Sequence, residues 1–304
     1  MSAGAAAVVL GLVSVAALGP ASALLERARW TWRAPRAAVC LWQCVGLAGA
    51  TSAIGAGLAV AAIRYHDGLV GGLARMGHAV VRGRPLAGLG LPDALGLTLA
   101  ADIAVVTVAV VAASMVRTAR ARARHRRLLD LVGSGAGAPP DAVLLDHPRA
   151  TAYCLPGIRP RIVVSAGTLA LLDDEELAAV LDHERAHAHA HHGLVLLPVT
   201  SFGALFRWLP FARRAPRAVA GLLEMAADDY AARHHDPRQL ASALLAMTTA
   251  GSVPACSLGA TATAVPARVH RLLDDRRSSR PLAMAAGIGA VVAVAVPLAV
   301  VLVS

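Results

Sequence analysis

The sequence predicts a mainly α protein, with multi-pass membrane helices around a cytoplasmic domain that holds a small antiparallel β-sheet. Three observations lead there. Of 304 residues, 57% are hydrophobic and the mean hydropathy is +0.59, far above a soluble domain. Four apolar runs each reach the ~20 residues that a spanning helix needs. Between the third and fourth lies a stretch of ordinary polarity, residues 117–280, with helix and strand patterns of its own.

The apolar runs are Ala3 to Leu24, Ala37 to Ile63, Pro92 to Val116 and Pro281 to Val303. They divide the chain into a membrane domain with three helices (1–116), a cytoplasmic domain (117–280) and a C-terminal membrane helix (281–304). In the first run Ala21-Ser22-Ala23 fits a signal-peptide cleavage site, yet no basic residue precedes it. Arg27, Arg29, Arg33 and Arg36 follow instead, the charge order of an uncleaved helix with its N-terminus outside. The third run is followed by "RTARARARHRR", with six arginines from Arg117 to Arg127. Both arginine-rich segments are expected at the cytoplasmic face, and the Gly-rich loop from Arg64 to Leu91 outside. Asp102 falls inside the third run; an intramembrane carboxyl is either functional or a residue near the outer rim.

The formal charge is +10, and all 29 basic residues are arginine. Most flank the apolar runs, so the charge anchors helices and meets anionic lipid headgroups; direct nucleic-acid binding is not expected. Arginine without lysine, on an Ala-, Val- and Leu-rich chain, fits a high-GC bacterial genome, and the expected location is a bacterial cell membrane. Cys40, Cys44, Cys154 and Cys256 form no C-x-x-C pair and read as small apolar residues.

In the cytoplasmic domain "AVLLD" (Ala142 to Asp146), "TAYCL" (Thr151 to Leu155) and "RIVVS" (Arg161 to Ser165) read as strands, with "PGIRP" turning between the last two. A helix follows, opened by a capping-box pattern at Asp173 and Glu176, with Gly193 as a stop. A second helix is expected from near Pro216 to before Pro237, and others at Gln239 to Thr249 and Ala267 to Asp274.

The stretch "LDHERAHAHAHHG" (Leu181 to Gly193) contains H-E-x-x-H: His183, Glu184 and His187. Residues four apart share a helix face, so two imidazoles can meet one zinc ion, with Glu184 beside them to take a proton from the attacking water. A catalytic zinc site wants a third protein ligand. The longer motif that supplies it nearby needs glycine at 190 and histidine at 193, where this chain has Ala190 and Gly193. Glu224, the only glutamate after Glu184, reads as the third ligand or as a solvated helix carboxylate. Asp228, one turn later, could orient a ligand imidazole. His191 could join the metal face; with His189 and His192 it otherwise reads as a solvated flank. Tyr230, Arg268 and His270 are candidates for a second stabiliser of an oxyanion. Residues 193–211 are apolar, but one crossing there would part His187 from Glu224; they read as an interfacial segment.

"AYCLPGIRPRIVVSAGTLALLDDEELAAVLDHERAH", followed by "EMAADDYAAR", resembles the membrane zinc metallopeptidases of the BlaR/MecR (antirepressor) type, gluzincins related to HtpX-like and CAAX-prenyl-protease-like peptidases. "RVHRLL" (Arg268 to Leu273) is similar to a segment late in that family's domain. The resemblance implies a minimal gluzincin domain with one zinc held by His183, His187 and Glu224, Glu184 as general base and Asp228 behind the ligands. It implies protein substrates: the peptidase itself or a cytoplasmic transcriptional repressor. "RIVVS" is the strand expected to pair with an extended substrate. The alternatives are a non-enzymatic membrane signalling protein on the same scaffold, and a metal transporter or sensor.

Overall fold

The computed structural model describes residues 1–83, 90–134, 137, 139, 141–157, 160–251, 265–274 and 279–304. Cys256 and part of the expected "PGIRP" turn lie outside them. The chain starts with α1 (Ala3–Ala16), which widens into a π-helical turn at Ala17–Ala21 and continues as α2 (Ser22–Arg27). Pro20 sits in that turn, where its missing N–H breaks the regular ladder. A 3-10 turn, Arg29–Arg33, leads into α3 (Pro35–Ala62), which Pro35 starts. Then come α4 (Gly68–Val81) and α5 (Leu91–Val132).

Four helical stretches are long and apolar enough to cross a membrane: Ala3–Arg27, Pro35–Tyr65, Leu91–Val132 and α13 (Arg280–Val303). They correspond to the four apolar runs. The third departs from expectation at its end. α5 runs 42 residues without a break, through the arginine run and beyond. Arginine is a good helix former, so nothing at Arg117 stops the helix. α5 packs on α3 where Gly57 and Gly96 face each other: a Cβ on Gly96 would meet the Gly57 carbonyl oxygen at 2.6 Å. Small residues let the two backbones approach that closely. Asp102 is exposed on the surface of α5.

The far end of α5 reaches the sheet, where Leu129 packs with Tyr153, Leu155 and Val163. The strands are β1 (Gly133–Ser134), β2 (Ala142–Leu145), β3 (Ala152–Leu155) and β4 (Arg161–Ser165), in the order β1-β2-β4-β3. The sheet is mixed, not antiparallel throughout as expected: β3–β4 is antiparallel, β2–β4 is parallel, and the two-residue β1, which the sequence pattern does not signal, pairs antiparallel with β2. β4, the "RIVVS" strand, is therefore internal and cannot be the edge that receives a substrate. It is buried along nearly its whole length, a pattern that suits a strand flanked on both sides. Among the described residues the edge beside the helices is β3.

α6 (Ala166–Leu171) leads to α7 (Asp174–His189), whose start is a capping box: Glu176 N donates to Asp173 Oδ1 at 2.8 Å, and Asp173 N to Glu176 Oε2 at 3.3 Å. α7 ends before the expected Gly193 stop, because His191 takes a left-handed φ of 49°. Residues 193–211 run through α8 (His192–Val195), α9 (Leu197–Leu205), a turn and the first residues of the next helix, and neither α8 nor α9 is long enough to span a bilayer. α10 (Pro210–Ala231) starts six residues earlier than expected, with Pro216 inside it. α11 (Pro237–Thr249) and α12 (Val265–Leu273) follow.

Two cores position the site. One joins the N-terminal apolar helices to α9 and α10: Leu18, Leu25, Trp42 and Val45 pack with Val199, Phe211, Val219 and Leu222. The other joins the sheet to α7, α11 and α12 through Ala152, Ile162, Val164, Val180, Leu240 and Leu272. α7 and α10 lie between them and face each other.

Candidate metal centre

α7 presents His183, Glu184 and His187 on its buried side, and α10 presents Glu224 and Asp228 one turn apart. All five are buried, with Asp228 fully so. His183, His187 and Glu224 bring their candidate ligand atoms close together. His183 Nε2 lies 3.2 Å from His187 Nε2; it is 3.5 Å from Glu224 Oε2, and His187 Nε2 is 3.5 Å from the other oxygen, Oε1. Tetrahedral zinc with bonds of about 2.0–2.1 Å separates its ligands by about 3.3 Å, and the spacing of the two imidazole nitrogens and the nearby carboxylate suits such a site. Among the described residues this is the one cluster that could hold a metal ion. Two imidazoles and a carboxylate are the donor set that a catalytic zinc takes.

The far side of each imidazole is also engaged. His183 Nδ1 stands 3.0 Å from Asp228 Oδ1, at hydrogen-bond distance though off line. His187 Nδ1 lies 2.9 Å from His192 Nδ1. His192 was expected to be solvated, yet it is buried. The reason is the left-handed turn at His191, which ends α7 and turns the chain back. On a continuous helix His192, five residues on, would have pointed away from His187. His189 and His191 are exposed, as expected for flanking residues.

Arg268 of α12 closes the site from behind. Its Nε donates to Asp228 Oδ2 at 2.9 Å and its Nη2 to Asp228 Oδ1 at 2.6 Å, while Nη1 lies 3.0 Å from Glu224 Oε2. Of the three oxyanion candidates it is the one brought to the cluster, and its guanidinium is committed to the two carboxylates. Tyr230 is half-buried on α10 beside His189 and His234, with ring centroids 6.2 and 5.5 Å away. His270 is exposed on α12, two residues round from buried Arg268.

Glu184 accepts a hydrogen bond from the backbone N–H of Cys154 in β3 at 2.8 Å. This bond fixes its carboxylate beside the edge strand. Burial pushes the Glu184 carboxyl up to about 7. Burial also pushes His187 down to about 3 and His192 down to about 4, so both imidazoles stay neutral. For Glu224 burial favours the neutral acid, but Arg268 and the two imidazoles outweigh it and hold the group at about 2. Asp228 likewise resists burial through Arg268 and lies well below the usual carboxylate range. His183 keeps its proton against burial because Asp228 and Glu224 face it, which raises it to about 9. Burial pushes the Cys154 thiol up to about 12, so it is inert at neutral pH.

Residues 118–259 match the profile of Peptidase family M48. The match supports the M48 metallopeptidases in general and picks out no subfamily. It covers the arginine-rich end of α5, the sheet, the H-E-x-x-H helix and the helix carrying Glu224; Arg268 and the four apolar stretches extend beyond it in part or whole. No curated protein and no solved structure matches the chain.

Proposed function

We propose that the chain is an integral membrane zinc-dependent endopeptidase of the BlaR/MecR type, acting at the cytoplasmic face on itself or on a cytoplasmic transcriptional repressor. The observation that carries this is the buried cluster of His183, His187 and Glu224 with Glu184 held beside it. Zinc in such a site supplies a Lewis acid, which polarises a carbonyl and lowers the pKa of a water to near ~7.

The chain's own residues supply the rest. Glu184, with a carboxyl raised to about 7, takes the proton of the attacking water and hands it to the leaving amine. Asp228 and His192 orient the two imidazoles, and Arg268 keeps Glu224 and Asp228 ionised in a buried place. A polypeptide substrate suits the sheet: an extended segment added along β3 runs past Glu184, which β3 itself anchors. The arginines around the site and the packing of α10 on α2 and α3 support a membrane-hugging site on the cytoplasmic side.

The test is to compare cells producing the full chain with cells producing Glu184→Gln, by sequencing new protein N-termini. A new N-terminus in this chain or in a DNA-binding protein, present with the wild type and absent with the variant, is the expected result. Identical N-termini in both would overturn the proposal.

A further inference from the structure

Arg271 lies one turn after Arg268 on α12 and is buried. Its Nη2 donates to both oxygens of Asp229 at 2.7 Å, and its Nη1 to the Met225 carbonyl at 3.3 Å. Met225 and Asp229 are the sequence neighbours of Glu224 and Asp228. Two arginines of one short helix therefore grip a single turn of α10: Arg268 on the carboxylates of the metal cluster, Arg271 on the residues just after them.

Arg271 has a further partner far away in sequence. Its Nε donates to the Trp32 carbonyl at 2.6 Å. Trp32 belongs to the Arg29–Arg33 turn between the first two candidate spans. The same turn takes a bond from Ser279 N to the Arg33 carbonyl at 3.1 Å, just before α13. Its Thr31 is buried, with its hydroxyl bonded to the Ala28 carbonyl at 2.7 Å. The turn is thus a fixed point where the membrane helices meet α12. A second tie, Arg214 to Glu26 at 2.9 Å and to Ser22 at 3.1 Å, joins α10 to α2 nearer the N-terminus of α10 and does not touch the metal-bearing turn.

We propose that Arg271 is a positioning residue that links the Trp32 turn of the membrane domain to the metal-bearing turn of α10, so that the placement of this turn sets how firmly the metal is held. This rests on the metal reading above. The planar fork of the guanidinium reaches two carbonyls and a carboxylate in fixed, diverging directions, a geometry that the compact ammonium of lysine does not reproduce. A shift of the Trp32 carbonyl pulls on α12, and α12 carries Arg268, which holds Glu224 and Asp228.

The test uses the full chain in lipid nanodiscs, loaded with zinc, and reads the rate of zinc loss to an excess of chelator. Four proteins are compared: wild type, a one-glycine insertion after Trp32, Arg271→Lys, and the two changes combined. Arg271→Lys keeps a charge for Asp229 and so protects the fold. The expected result is that each single change speeds zinc loss by about tenfold, as loss of an outer support does. The combined protein should lose zinc no faster than Arg271→Lys alone, because the link is already cut. Multiplying effects, or an insertion without effect, would overturn the link while leaving the metal reading intact. A wild-type chain that takes up no zinc would overturn both.

Discussion

Arg268 and Asp228 form a two-pronged pair, Nε to Oδ2 at 2.9 Å and Nη2 to Oδ1 at 2.6 Å, with both side chains shut off from solvent. The third arm of the guanidinium reaches Glu224. Arg268 thus helps to balance two buried carboxylates from α10, together with the proton that His183 keeps in the metal-free protein, and its loss leaves them undercompensated in a low-dielectric place.

Replacing Arg268 with glutamine should therefore cost stability as well as activity. Removing one partner of a buried charge pair costs roughly 3–5 kcal/mol. The expected outcome is a marked fall in the unfolding temperature of the metal-free protein in detergent, with part of it restored when zinc is added. A variant that melts like the wild type would show that the carboxylates do not depend on Arg268.

His192 touches His187 rather than the metal-facing atoms. His192→Phe should keep the buried volume and lose the hydrogen bond. Zinc affinity should drop by about 10- to 100-fold, the usual effect of losing an outer partner, while turnover at saturating zinc survives. Titration against a competing chelator separates this from complete loss of the site.

The proton on His183 sets a pH dependence. In the metal-free protein this group is raised to about 9, mainly by Asp228 and Glu224 acting against burial. Because its folded value lies above the usual one, the stability it adds is present at low pH and is lost as pH rises through about 9. Zinc must displace that proton. Apparent zinc affinity should therefore rise about tenfold per pH unit and level off above the His183 value, with close to one proton released on binding. Calorimetry in two buffers of different ionisation heat measures the released proton directly.

Glu184→Gln should retain zinc and lose cleavage. The amide is nearly isosteric, can still accept the Cys154 N–H through its oxygen, and cannot accept a proton. Loss of zinc in this variant would mean that the charge of Glu184 holds the metal.

Much of the site was legible because its signals are local. Four-residue spacing on a helix puts His183 and His187 on one face, and Asp173 with Glu176 marks where that helix begins. Glu224 stood out as the only glutamate after Glu184, in an apolar turn. The rest depends on tertiary facts that spacing does not carry. Strand order decided that β3, not β4, is the edge, and three short strands in sequence are compatible with either arrangement. The left-handed residue at His191 turned His192 inward, and no glycine or asparagine announced it. Arg268 and Arg271 were hard to weigh in a chain whose arginines mostly flank apolar helices. Their roles come from α12 folding back on α10, some forty residues away in sequence.

The central claim is that His183, His187 and Glu224 hold one catalytic zinc. The most direct measurement is zinc per chain in the purified full-length protein, wild type beside Glu224→Ala. The account predicts about one zinc per wild-type chain, lost or strongly weakened in the variant. One zinc held equally by both proteins would contradict it and shift the ligand role to a neighbouring histidine. No zinc in the wild type would contradict the metallopeptidase reading itself.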